Sequence, residues 1–108
     1  MTEGIWVRAA ALSDLDGDDP VGLELEGKAI ALYRVGDAYF ATANICTHAF
    51  ALLSDGFLEG CVIECPLHNG RFDVRTGKAL ASPVEKDLET FPLEVRDGEI
   101  FLELSGRG

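Results

Sequence analysis

A chain of 108 residues has room for one domain and one small core. Hydrophobic residues make up 47% of it and charged residues 26%, the balance of a globular chain and not of a disordered one. Nine basic against nineteen acidic side chains leave a formal charge of -10, a field that repels nucleic acid and anionic membrane surfaces and attracts a basic protein partner. The opening residues MTEGIWVRAA carry no basic segment followed by an apolar run, so no secretory signal is expected. No stretch approaches the roughly 20 apolar residues of a spanning helix. Three cysteines cannot pair off completely, and two of them share a pattern with histidine, so a reducing cytoplasm is the expected setting.

Strand signals dominate from the start. Ile5, Trp6 and Val7 predict a short first strand, with Trp6 as a packing residue, and Ala10 to Leu15 allow one turn of helix at most. An acidic connector, Asp14 to Pro20, holds four aspartates and a proline. Val21 to Leu25 alternates and stops at Gly27; Lys28 to Val35 and Ala38 to Thr42 flank Gly36-Asp37 and predict a hairpin. Strands are predicted near Phe57 to Glu64 and over Arg71 to Val74, and Thr76-Gly77 turns the chain into Lys78 to Leu80. Phe91 to Arg96 and Glu99 to Leu104 flank Asp97-Gly98, a strong hairpin signal. In the last strand Ile100, Leu102 and Leu104 share one face, with Glu99 and Glu103 opposite. With no long helix-period segment and no repeat, the expectation is an all-β fold, a small antiparallel sandwich or barrel spanning residues 1–108 as a single domain.

Both histidines and all three cysteines fall between Cys46 and Gly70. Cys46-Thr47-His48 and Cys65-Pro66-Leu67-His68 form two mixed pairs, separated by sixteen residues and each lying in a loop beside strand signals. Four cysteines would be needed for an all-thiolate iron-sulfur cluster. Two thiolates and two imidazoles suit either one tetrahedral zinc or a [2Fe-2S] cluster with unlike irons. Zinc-finger ligands commonly come as like pairs, C-x2-4-C and H-x3-5-H, whereas a mixed pair in each loop lets that loop reach over both irons of a two-iron centre.

The two boxes, C-x-H and C-x2-H at this separation, resemble those of Rieske-type [2Fe-2S] proteins. The resemblance implies that Cys46 and Cys65 bind an inner iron and His48 and His68 an outer one near the surface, within a cluster-binding region 45–72. Further runs, L-S-D-G at Leu53 to Gly56, E-C-P-L-H, and R-F-D-V-R-T-G-K-A at Arg71 to Ala79, are similar to the small ferredoxins of bacterial aromatic-ring-hydroxylating dioxygenase systems. That likeness spans nearly the whole chain. It implies a monomeric cytoplasmic carrier of one electron, from a flavin-containing, NAD(P)H-linked reductase to a terminal oxygenase, with both contacts transient. It also implies no catalysis by the carrier itself: a terminal oxygenase needs a mononuclear iron site, both histidines are committed, and 28 residues follow Leu80. The alternatives are a Rieske-like small subunit of an assimilatory nitrite reductase, and a zinc-stabilised binding module.

Departures from the respiratory and photosynthetic Rieske subunits carry further expectations. Their inter-loop disulfide falls at positions occupied here by Ala51 and Leu67, and their serine and tyrosine hydroxyl donors at Gly70 and Phe72. The loss of those donors predicts a potential toward the low end of the Rieske range. Ser82-Pro83-Val84 resembles the proline-bearing loop that covers the cluster. Phe50, Ala51, Leu67 and Pro83 are expected to give the cluster tip an apolar surround, backbone amides from Thr47 to Ala49 and Leu67 to Gly70 to donate to cluster sulfurs, and Cys61 to be a buried small hydrophobe.

Overall fold

The computed structural model describes residues 5–15, 17, 19–47, 51–67, 70–81 and 86–104. Among these residues the fold is all-β: ten strands in three antiparallel sheets, with helix confined to single 3-10 turns at Leu12–Leu15 and Leu53–Asp55. No helix among them is long and apolar enough to cross a membrane.

The first sheet forms the base. Strand β1 (Ile5–Ala11) pairs with β10 (Glu99–Leu104), which pairs with β9 (Leu93–Arg96) across the Asp97-Gly98 turn. On β10 the alternation behaves as expected, with Ile100, Leu102 and Leu104 buried. Trp6 is a packing residue of this sheet: the Arg96 guanidinium lies 5.4 Å from its ring and 4.8 Å from that of Phe101. Strand β1 runs further than expected, to Ala11, because small alanines follow Val7 and pair with Glu99 and Ile100. Helical structure begins only at Leu12, where the Asp14 carboxylate accepts the Ala11 N–H at 3.1 Å. Strand β9 starts later than expected, at Leu93, since Phe91 instead donates its N–H to the Ala41 carbonyl and Pro92 has no N–H to give.

The middle sheet holds β2 (Val21–Leu25), β3 (Lys28–Val35) and β4 (Ala38–Ala43) in that order. Its central strand explains why the run Ile30-Ala31-Leu32-Tyr33 is apolar without a break. Ile30 and Leu32 enter a core shared with Leu15, Ile100 and Leu102 of the base; Ala31 and Tyr33 enter a second core with Leu53, Ile63 and Phe72. A strand covered on both faces loses the polar half of its alternation.

The third sheet carries β5 (Phe57–Glu59), β6 (Val62–Glu64), β7 (Arg71–Asp73) and β8 (Ala79–Ala81). Here the single strand expected over Phe57 to Glu64 is a hairpin of two short strands. Gly60, at φ +60°, supplies the left-handed backbone that reverses the chain, and Cys61 lies in that turn. The inward face of the sheet, Leu58, Ile63 and Phe72, closes the second core, while Phe57 projects outward and is 68% exposed.

Candidate metal centre

Two loops leave the second core at the same end of the molecule. The first departs from β4 and returns at the Leu53–Asp55 turn. Its neck is pinned by an Ile45–Leu52 bridge and by Cys46 N–H donating to the Ala51 carbonyl at 2.9 Å. The second joins β6 to β7, and its neck is closed by Cys65 N–H donating to the Gly70 carbonyl at 2.7 Å. Gly56 lets the two necks abut: a Cβ at this position would collide with the Glu64 carbonyl, one residue before Cys65.

Abutment brings Cys46 and Cys65 together inside the second core, 4% and 0% exposed. The side chain of Cys46 is a hydrogen-bonding neighbour of the Cys65 thiol. Burial pushes the Cys65 thiol up to about 11; the Leu67 backbone N–H, aimed at its sulfur, pulls the other way, and the Cys46 side chain adds a smaller upward push. A pair of unbridged thiols held side by side with an amide directed at one sulfur is a soft-donor site. Its walls are apolar, from Leu53, Ile63, Phe72, Val74 and Leu88. Iron or zinc thiolate chemistry fits this donor set and this dry surround.

His48 and His68 lie outside the described residues, as do Ala49, Phe50, Asn69 and the Ser82-Pro83-Val84 segment. Among the described residues no group of three metal-binding side chains gathers. Of the expected apolar surround, Ala51 is half-buried and Leu67 is 45% exposed; Phe50 and Pro83 fall outside the description. Of the expected amide donors, that of Leu67 is directed at Cys65.

Cys61 departs from expectation. It is half-buried at the edge of the second core, because it occupies a hairpin turn and not a strand interior. Two contacts at the first loop were not legible in the sequence. Asn44, 4% exposed, is hydrogen-bonded to Ser54, and the Thr47 hydroxyl donates to the Lys86 carbonyl at 2.9 Å. The only available signal was a polar residue ending a strand two positions before a candidate ligand.

The family model for the Rieske [2Fe-2S] domain matches residues 5–92. The ferredoxin component of the naphthalene 1,2-dioxygenase/salicylate 5-hydroxylase systems of a Ralstonia species is 52% identical over 99 residues, 92% of this chain and 95% of that protein. Among solved structures, a complex of reduced oxygenase and oxidised ferredoxin in carbazole 1,9a-dioxygenase contains a chain that superimposes with a TM-score of 0.86 at 42% identity, covering 92% of this chain and 93% of that one. A Sphingomonas yanoikuyae B1 ferredoxin gives a TM-score of 0.88 at 36% identity, over 92% and 98% of the two chains. With two buried thiols in abutting loops, a family model that matches from β1 to Pro92 and a relative 52% identical over 92% of its length, the chain belongs to the Rieske [2Fe-2S] domain family.

Proposed function

We propose that this protein is the ferredoxin of an aromatic-ring-hydroxylating dioxygenase system. It takes one electron at a time from a flavin-containing NAD(P)H reductase and passes it to a terminal oxygenase. The observation that carries this reading is the Cys46–Cys65 pair, drawn together from two loops and each followed within three residues by a histidine. Cys46 and Cys65 would hold the inner iron of one Rieske-type [2Fe-2S] cluster, and His48 and His68 the outer iron, within region 45–72 of a single domain 1–108. The 52% identity with a dioxygenase ferredoxin, against 25% with a nitrite reductase small subunit of similar overlap, supports the carrier role over that subunit. Cysteines that form no disulfide suit a reducing cytoplasm.

When bound, the cluster supplies a site that gains and loses a single electron without exchanging ligands. Everything else is done by the chain. The walls of Leu53, Ile63, Phe72 and Val74 keep water from the sulfurs, and the Leu67 amide favours negative charge on Cys65. Leu67, exposed on the second loop, gives an apolar contact for partners that dock and leave, so reductase and oxygenase use the same end of the molecule in turn. The charge of -10 steers basic partner surfaces toward it, and the carrier works as a monomer.

Iron and acid-labile sulfide analysis, with low-temperature electron paramagnetic resonance of the reduced protein, tests the assignment. The expected result is about two irons and two sulfides per chain, and a rhombic signal whose average g lies below that of all-thiolate clusters. A colourless protein, or one holding zinc alone, overturns it. A stable complex with a large nitrite-reducing subunit would move the chain to that class.

A further inference from the structure

We infer that Asn44 and Ser54 form a positioning pair that fixes the first cluster-binding loop, and through it the Cys46 sulfur relative to Cys65. The inference rests on the cluster assignment made above. Asn44 stands where β4 ends, and its polar groups are committed in opposite directions. Toward the middle sheet, its N–H donates to the Ala29 carbonyl at 3.0 Å. Toward the returning loop, its carbonyl accepts the Leu53 N–H at 2.7 Å, its Oδ1 accepts the Ser54 N–H at 2.8 Å, and its Nδ2 donates to Ser54 Oγ at 3.0 Å.

The side-chain amide therefore acts as one more rung of backbone ladder. Moving outward, the rungs are Asn44 Oδ1 to Ser54, Asn44 carbonyl to Leu53, the Ile45–Leu52 bridge, and Cys46 N–H to Ala51. Cys46 is held at the open end of this ladder, and the side-chain pair closes the other end. An Asn at 4% exposure with both ends of its amide bonded is a rigid clip, because breaking it leaves buried polar groups without partners.

A third element presses on the clip. At Gly22 of β2, a Cβ would come within 2.5 Å of Ser54 Oγ and 2.8 Å of Asn44 Nδ2. Glycine is thus the residue that leaves the pair undisturbed, and Gly22→Ala would push on it from β2, a strand outside both loops. Hydrogen-bonding partners that orient metal ligands characteristically alter the metal as well as the stability, which separates a positioning role from a merely structural one.

The test compares Asn44→Ala, Ser54→Ala and Gly22→Ala with Ile100→Val, a core change in the distant base sheet, all in cluster-loaded protein. Three readings are taken: the g values of the reduced protein, its midpoint potential, and the rate of iron release to a chelator at a temperature where circular dichroism shows the fold intact. Asn44→Ala should shift the g values and potential and speed iron release about tenfold, with Ser54→Ala moving the same way by less. Ile100→Val should lower the melting temperature yet leave all three readings as in wild type. If Asn44→Ala does not fold, Ser54→Ala, which removes a single hydroxyl, decides alone. The inference is overturned if these variants keep wild-type g values, potential and release rate, or if Ile100→Val reproduces their changes. A wild-type protein without the rhombic signal would instead sink the cluster assignment, so the two failures are told apart.

Discussion

The Tyr33 hydroxyl meets Thr42 Oγ1 at 2.9 Å within the protein interior, and neither residue is exposed. The single hydroxyl proton of Thr42 goes to the Ala43 carbonyl at 2.8 Å, so Tyr33 is the donor of the pair. Tyr33→Phe leaves Thr42 with its own acceptor and removes one buried hydrogen bond, a loss of about 1 kcal/mol. In a domain of this size the melting temperature should fall by about 5 °C. The pH dependence follows from the same contact. Burial pushes the phenol above its ordinary value, by more than its contact with Thr42 lowers it. A folded-state value raised above the unfolded one of about 10 gives stability that is complete below about pH 10 and lost as pH rises toward the folded value. Wild type should therefore lead Tyr33→Phe in melting temperature at pH 7, and the lead should have closed by about pH 11. A lead independent of pH would mean that Tyr33 ionises as freely in the fold as outside it.

Phe72 offers a test of how the core around the two thiols sets the potential. Its ring is fully buried in the core that contains Cys46 and Cys65, yet it carries no hydroxyl, and Gly70 carries no side chain. Phe72→Tyr would bring a donor into a wall that now has none from this position. If that hydroxyl bonds a cluster sulfur or a ligand thiolate it stabilises the reduced state, and each 1.4 kcal/mol or so of preference raises a one-electron potential by about 60 mV. Protein-film voltammetry should show the potential of Phe72→Tyr above that of wild type. An unchanged potential in a loaded variant would show that position 72 does not face the sulfurs.

How much of this was legible in the sequence depended on the distance over which the determining contact acts. The alternation of Ile100, Leu102 and Leu104, and the turn glycines of the terminal and middle hairpins, are local, and they led directly to β10 and β3–β4. The C-x-H and C-x2-H boxes marked the loops because the chemistry of the donors is written in their spacing. Phe57 to Glu64 misled for a physical reason. Two three-residue strands joined at Gly60-Cys61 present nearly the same apolar run as one longer strand, and only the left-handed backbone at Gly60 tells them apart. The Asn44–Ser54 and Thr47–Lys86 contacts join residues 10 and 39 positions apart, and no propensity or periodicity encodes such meetings.

The three cysteines separate cleanly by position. Cys46 and Cys65 are neighbours in the core, whereas Cys61 is half-buried in the β5–β6 turn and makes its backbone contribution through a carbonyl that accepts the Val74 N–H at 2.9 Å. Cys61→Ser keeps that carbonyl, so iron content and paramagnetic signal should match wild type, with a stability change below about 1 kcal/mol. Cys65→Ser replaces a soft thiolate with a poor iron ligand and should yield protein without the rhombic signal. Loss of iron from Cys61→Ser, or its retention with an unaltered spectrum in Cys65→Ser, would reverse these assignments.

Charge and the exposed end of the molecule make separable contributions to partner encounter. A net charge of -10 acts over the whole surface and is screened with a Debye length of about 10 Å at 0.1 M salt, so it raises the rate of encounter with a basic partner more than it holds the complex. Leu67, by contrast, is an exposed apolar side chain two residues from Cys65, and a contact made through it would act at short range and not be weakened by salt. Stopped-flow electron delivery to a terminal oxygenase should therefore slow as salt is raised from about 0.02 to 0.5 M, with most of the change in the second-order rate constant. Leu67→Ser should instead weaken the complex at every salt concentration while keeping the same salt slope. Rates indifferent to salt would remove the steering role of the acidic surface. A Leu67→Ser variant that delivers electrons as wild type does would move the docking face away from the second loop.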